Sequence, residues 1–214
     1  MTTDAPTTAY ATLALLALQP WTGYELTKQF RRSLAFCWPK AESVLYEEPR
    51  RLVRQGWATA RVEVERGRRR TRYTITDDGR EALGRWLATE SDAPRLELEP
   101  MLRFLFSDQG TLDDAGRSVA AMRTWATANL DFGIPALADF LATGGPFPER
   151  NHLSVLFASL FTDLCDATLA WCERADAEIA TWTDTAGQGM TTGARELAEQ
   201  IVDRHPAFDP RTAE

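Results

Sequence analysis

Apolar side chains recur along the chain with two periods, and the change from one to the other divides it into elements. Residues 9–18, Ala-Tyr-Ala-Thr-Leu-Ala-Leu-Leu-Ala-Leu, are dense in good helix formers and stop at Gln19-Pro20, where proline cannot continue the pattern. A first, mostly buried helix is expected there. Thr22-Gly23-Tyr24-Glu25 then fits a capping box: the Thr22 hydroxyl and the Glu25 carboxylate can satisfy backbone N–H groups of a second helix carrying Leu26 and Phe30. Trp38-Pro39 opens a third, because proline is favoured in a first helical turn; Leu45, Pro49 and Leu52 share its inner face and Gly56 ends it. From Ala58 to Glu65 the period drops to two, with Val62 and Val64 on one side and Arg61, Glu63 and Glu65 on the other. Arg66-Gly67-Arg68 makes a turn and residues 70–75 alternate again, which predicts a two-stranded hairpin. Thr76 or Asp77 can cap a further helix with Leu83, Trp86 and Leu87 as its apolar stripe. Three helices, a hairpin and a helix spell a winged helix-turn-helix over residues 1–90.

Ser91-Asp92-Ala93-Pro94 reads as a linker to a second domain, residues 91–214, that is helical throughout: 96–106, 112–141, 152–182 and 192–205. In the third of these, Leu153, Phe157, Leu160, Leu164, Trp171, Ala175 and Trp182 fit a stripe of period about 3.5 to 3.6, which wants a partner helix. Leu153, Phe157, Leu160, Leu164 and Trp171 are therefore the candidate dimerisation residues. Pro135 should kink or split the second segment, and Gly144-Gly145-Pro146 marks the turn after it. The fold class expected is mainly α with a small β-hairpin: an N-terminal winged helix-turn-helix plus a C-terminal helical dimerisation domain. The longest apolar runs, near 13–18 and 153–164, fall short of the roughly 18 residues of a membrane-spanning helix, so no membrane partner is expected.

Composition adds little until it is divided. With 214 residues, 44% hydrophobic and 26% charged, the chain is an ordinary folded protein. The start Met1-Thr2-Thr3-Asp4-Ala5-Pro6 lacks a secretory signal pattern and three cysteines cannot staple a fold, so a cytoplasmic location is expected. The net charge of -7 argues against a nucleic-acid partner only while it is taken whole. Residues 1–90 hold 15 Lys and Arg against 11 Asp and Glu, a net of +4, whereas 91–214 hold 9 against 20, a net of -11. Nine arginines face only Glu63 and Glu65 within 50–72. A compact basic site on an acidic protein suits local contact with a polyanion.

Leu15-Leu16-Ala17-Leu18-Gln19-Pro20, Gly23-Tyr24-Glu25-Leu26, Leu45-Tyr46, Arg51-Leu52, Gly56, the Arg-rich turn, Tyr73-Thr74-Ile75-Thr76 and Gly79-Arg80 together resemble the PadR family of bacterial transcriptional regulators. The resemblance covers residues 9–90 and extends into the tail at 101–107, as in the branch with a large helical C-terminal domain. It implies a homodimer that binds double-stranded DNA, with C-terminal helices that make the dimer and often respond to a small molecule. Pro49 departs from the family pattern, which has an apolar helix former there. A proline in a helix interior costs on the order of 3 kcal/mol, so the third helix is expected to kink near 45–49 or to break into two turns.

On that helix the direction opposite Leu45, Pro49 and Leu52 is occupied by Ser43, Glu47, Arg50 and Arg54, with Tyr46 at the flank. Arg50, Arg51 and Arg54 suit guanine or phosphate, Ser43, Tyr46 and Tyr24 suit phosphate or base-edge hydrogen bonds, and Lys40 would reach the backbone. Glu47 would be repelled by phosphates unless it pairs with Arg50 or Arg51, or accepts from a cytosine amino group. Arg66, Arg68, Arg69 and Arg70 form the wing, which can enter a narrow minor groove; alone, such a hairpin can equally be a solvated edge that discourages aggregation. Of seven tryptophans, Trp125 and Trp171 are candidates for a planar-ligand pocket, although packing is the commoner use of the residue. Cys165 and Cys172 lie about 10 Å apart along one helix and cannot bond to each other, so packing is their expected role. His152 and His205 have no metal-ligand spacing, and no nucleophile-and-base constellation, P-loop or dinucleotide fingerprint is present. Neither catalytic residues, metal nor cofactor is expected. The function expected is a homodimeric DNA-binding regulator, more specifically a repressor modulated by a ligand at its C-terminal helices; the competing expectation is a winged-helix protein-interaction module.

Overall fold

A computed structural model of the chain describes residues 5–65 and 67–208, the Glu65 side chain excepted. It divides into two compact units, Met1–Pro94 and Arg95–Glu214. The first contains α1 (Thr7–Leu18), β1 (Trp21–Thr22), α2 (Gly23–Ser33), α3 (Glu42–Arg54), β2 (Ala58–Glu65), β3 (Arg68–Ile75) and α4 (Asp77–Leu87). Apolar on nearly every face, α1 is buried in the middle, packed against α2, α3, α4 and β3. Its Leu13 and Leu16 are fully buried, as are Leu26, Pro49 and Leu52 on the helices around it. Tyr10 stacks on Trp86 with ring centroids 5.1 Å apart, and the Trp21 and Trp38 indoles donate to the Leu15 carbonyl at 2.8 Å and the Thr8 hydroxyl at 3.0 Å.

The capping box of α2 is present, Glu25 N–H donating to the Thr22 hydroxyl and Thr22 N–H to the Glu25 carboxylate. The third helix starts later than expected. Its cap is Ala41, and Trp38-Pro39 belong to the preceding loop, because the Trp38 ring is drawn onto α1 instead of opening a helix. Nor does Pro49 break it. The helix runs on through 54 with the proline ring in the core, where burial of the ring offsets part of the missing backbone hydrogen bond. The sheet has three antiparallel strands in the order β1-β3-β2, one more than the expected hairpin. β1 is two residues long, Trp21 opposite Tyr73 and Thr22 opposite Arg72, too short to carry a periodic signal. On α4, Thr76 is the cap as expected, but Leu87 is exposed; Gly79 and Ala82 face inward.

The second unit contains α5 (Glu99–Leu105), α6 (Leu112–Thr143), α7 (Asn151–Ile179) and α8 (Thr192–Asp203). α6 and α7 pack along each other, with α5 against α6. Their core is short: Val119, Met122, Cys172 and Ala175, flanked by Leu98, Met101, Phe104, Trp171 and Ile179. Pro135 neither splits nor ends α6. It lies beyond the last buried residue of α6, Ala126, and both Pro135 and Asp131, whose carbonyl loses its donor, are exposed, so water can satisfy that carbonyl. Only the second half of the expected α7 stripe reaches the core: Ala175 is buried and Leu164 and Trp171 half-buried, while Leu153, Phe157 and Leu160 are exposed. The stretch Pro148–Ile179 is also long and apolar enough to cross a membrane, by length and composition. Uninterrupted apolar runs do not reveal this, because isolated polar residues divide them.

Candidate nucleic-acid interface

α3 presents the face that the helical repeat assigns to it. Leu45, Pro49 and Leu52 are buried, and Ser43, Tyr46, Glu47, Arg50 and Arg54 are exposed in a row along the opposite side. Tyr46 packs over the start of α2, where a side chain added at Gly23 would meet its ring at 3.8 Å; the adjacent Tyr24 is exposed. α2 is tied to the start of α3 by Arg31, 2.6 Å from Glu42. Lys40 stands just ahead of α3 with its ammonium 4.6 Å from the centre of the Trp38 ring, a geometry that suits a cation–π contact.

Glu47 is paired, as its position demanded. It accepts from Arg54 at 2.9 Å and lies 3.6 Å from Arg50. Hydrogen bonding to Arg54 leads in holding its carboxyl below the usual range, partly opposed by desolvation. Arg51 is not its partner. That side chain lies half-buried on the flank, 3.6 Å from Glu48, a residue that the pattern of charges did not single out. Glu48 is buried between Leu45 and Leu52, and one of its carboxylate oxygens has no hydrogen-bond partner among the described residues. Burial pushes its carboxyl above the usual range, against the opposing pull of Arg51. Spacing could have found it, since it is three residues from Leu45 and four from Leu52.

β2 and β3 project as a hairpin in which Glu65 is opposite Arg68, with Gly67 in the turn. Gly67 has φ of +76°, a left-handed conformation that glycine adopts without strain. Arg68 and Arg69 are exposed and Arg70 is half-buried; Arg66 lies outside the described residues. Arg72, on the same strand, is turned to other use. Its guanidinium donates to Glu63 at 2.9 Å and to Glu25 and the Pro20 carbonyl at 3.3 Å each. Partial desolvation of Glu25 is outweighed by the Thr22 N–H and hydroxyl and by Arg72 and Arg70, which hold its carboxyl below the usual range.

Residues 12–85 match the model of the transcriptional regulator PadR-like family. Over those residues the chain is similar to that family. A probable transcriptional regulator of Mycobacterium tuberculosis is 31% identical over 127 residues, 56% of this chain and 65% of that protein. The negative transcriptional regulator PadR of Bacillus subtilis is 31% identical over 99 residues, 45% of this chain and 54% of its own. The matches thus span less than two thirds of either relative. In fold, the chain is similar to B. subtilis PadR solved with operator DNA, with TM-score 0.69 at 23% identity, over 81% of this chain and 99% of that one. It is similar also to the same protein solved with p-coumaric acid, with TM-score 0.62 at 23% identity, over 82% and 99%. The PadR-like motif residues fall where the fold needs them: Gly56 at positive φ after α3, Tyr73 and Ile75 in the core, and Gly79 against a backbone carbonyl.

Outside residues 12–85, Trp171 packs edge-on against Phe104 at 5.4 Å, and Trp125 on α6 is 37% exposed. Cys165 and Cys172 are buried free thiols, the latter 3.6 Å from the Val119 carbonyl, while Cys37 is exposed. Among the described residues no group of three or more His, Cys, Asp or Glu is placed to hold a metal ion.

Proposed function

We propose that this PadR-like chain is a cytoplasmic, homodimeric DNA-binding transcriptional regulator and, like the B. subtilis relative named as a negative regulator, a repressor. The reading is carried by one observation: α3 offers an uninterrupted outer row of Ser43, Tyr46, Glu47, Arg50 and Arg54 beside a hairpin ending in exposed arginines. In this reading α3 enters the major groove. Arg50 and Arg54 reach guanine or phosphate, and Glu47 either releases them to the duplex or accepts from cytosine. Arg66, Arg68, Arg69 and Arg70 follow the minor groove, Lys40 and Tyr24 hold the backbone, and Arg51 assists from the flank. The exposed halves of α6 and α7 dimerise through Leu153, Phe157 and Leu160, with Leu164 and Trp171 behind them. A small-molecule effector acts among the same helices near Trp125 and Trp171, as suits a fold whose B. subtilis example has been solved with an aromatic acid. It can shift repression only by its differential affinity for two arrangements of the dimer.

The test is a gel shift on DNA from the region upstream of its own gene at two salt concentrations. Steep salt dependence is expected, and Arg68→Ala with Arg69→Ala should lower the slope of log affinity against log salt by roughly 0.9 for each phosphate left unneutralised. Unshifted DNA at low salt would favour the protein-interaction module instead. Unchanged affinity and slope in the arginine variant would reject the wing assignment.

A further inference from the structure

The hairpin is anchored at one end only. Tyr73, Ile75 and Ala58 are in the core, but among the described residues none of 61–64 or 67–72 is buried. Val62 and Val64, which alternate onto the core side of the sheet, are 54% and 73% exposed because the core has ended beneath them. The arginine-bearing tip is therefore a cantilever, and its aim is set at the root. Arg68 is four residue steps from Arg72, about 14 Å at a rise of ~3.4 Å per residue; a tilt of roughly 10° at the root moves the tip by about 2 Å. That displacement is enough to break a hydrogen bond at the far end.

Arg72 stands at this root, opposite Thr22 on β1 and Arg61 on β2. Its guanidinium fork takes Glu63 of β2 on one side and Glu25 of α2 on the other, with the Pro20 carbonyl as a third acceptor. The Glu25 oxygen it reaches is the one that accepts from the Thr22 N–H at 2.8 Å, so one carboxylate both caps α2 and fastens the wing strand to that cap. α2 in turn packs on α3 and is tied to it by Arg31 and Glu42. We infer that Arg72, with Glu25 and Glu63, is a positioning clamp that sets the angle of the wing relative to α3, and is not itself a DNA ligand. The inference rests on the DNA-binding reading and deepens it: of the arginines on β3, those at the tip meet the duplex and the one at the root aims them. Two carboxylates already balance the Arg72 charge, and a fork can hold both where a lysine ammonium cannot.

Glu25→Gln separates the clamp from its alternatives. Glutamine also serves at the third position of a capping box, so the cap survives, and a negative charge near DNA is removed, which by electrostatics alone would tighten binding. The probe is a duplex enriched from a random library by the wild-type chain. Glu25→Gln and Arg72→Gln are each expected to weaken binding about five- to tenfold, with the double variant no weaker than the worse single one. Arg72→Lys should fall between. All these differences should vanish in a chain that also carries Arg68→Ala and Arg69→Ala, because a clamp acts only through the wing. Unchanged or tighter binding by Glu25→Gln overturns the clamp, and so does an Arg72→Gln defect that persists without the tip arginines. Enrichment of no duplex at all overturns the DNA-binding reading and the clamp with it. Thermal melting accompanies each variant; should Arg72→Gln fail to fold, Glu25→Gln and Arg72→Lys decide the outcome by themselves.

Discussion

Glu48 shows how burial and pairing compete at a single residue. Its carboxylate is 3.6 Å from Arg51, too long for a hydrogen bond, while one oxygen is buried without a partner among the described residues. Leaving a buried polar group unsatisfied costs about 1–3 kcal/mol, more than a pair of that length returns, and its carboxyl is accordingly pushed up. A carboxyl raised in the folded state adds stability below its unfolded range that is lost as pH rises through the folded value. Glu48→Gln should therefore raise the stability of the N-terminal unit by about 1 kcal/mol at pH 7 and by much less near pH 4. Urea unfolding at both pH values measures this, and an equal effect at the two would contradict it. Glu47 was legible in the sequence because it faces outward, and its pairing with Arg50 was foreseeable from spacing. Glu48 was missed because a charged residue is assumed to be solvated, although its spacing from Leu45 and Leu52 already turns it toward the inner face of α3. Glu25, Glu63 and Arg72 escaped for another reason, since their meeting joins positions 9 and 47 residues apart.

Whole elements were more legible than their ends. α1, α2, the hairpin and α4 follow from period, caps and turn residues, whereas β1 exists only because β3 offers it an edge. Helix propensity misleads at both prolines because it counts a missing donor but not what lies beside the ring, core at Pro49 and open surface near Pro135. Two glycines of α4 turn the same distinction into a measurement. A Cβ at Gly79 would lie 2.1 Å from the Trp57 carbonyl oxygen, the atom that accepts from Thr76 N–H at 3.0 Å where α4 begins. Gly79→Ala must push α4 off that carbonyl and should destabilise the unit by about 1–3 kcal/mol, as overpacking generally does. At Gly84 an added Cβ meets nothing within 4 Å, so Gly84→Ala should stabilise by roughly 0.5–1 kcal/mol through helix propensity alone. Denaturant midpoints of the two variants should move in opposite directions, and a shift of the same sign would mean that α4 does not dock as described.

For the whole molecule, the charge that first argued against DNA also constrains how the chain can meet its own copy. Two bodies of net charge -7 repel, and a two-fold interface sets each patch against itself, so an acidic patch has no complement there. The first half of α7 escapes this: residues 151–162 contain no Asp, Glu, Lys or Arg, and Leu153, Leu156, Phe157 and Leu160 are exposed on it. Phe132, Ile134 and Leu141 are likewise exposed on the later part of α6. A contiguous apolar surface of this kind marks an interaction site more often than a free face. Period in the sequence identifies the stripe but not its division, because only packing shows that the later half of α7 meets the core while the earlier half keeps Leu153, Leu156, Phe157 and Leu160 exposed. Leu156 and Leu160 are 70% and 66% exposed, so aspartate at both positions should cost the lone chain little while placing like charges across the two-fold axis of the proposed dimer. Leu156→Asp with Leu160→Asp should sediment as a monomer with an unchanged helical circular dichroism spectrum. Its DNA affinity should fall by about a hundredfold or more, since two linked half-sites multiply effective affinity by roughly 10² to 10⁴. A variant that stays dimeric would move the interface elsewhere on the chain, and one that becomes monomeric with undiminished DNA affinity would show that a single winged helix suffices.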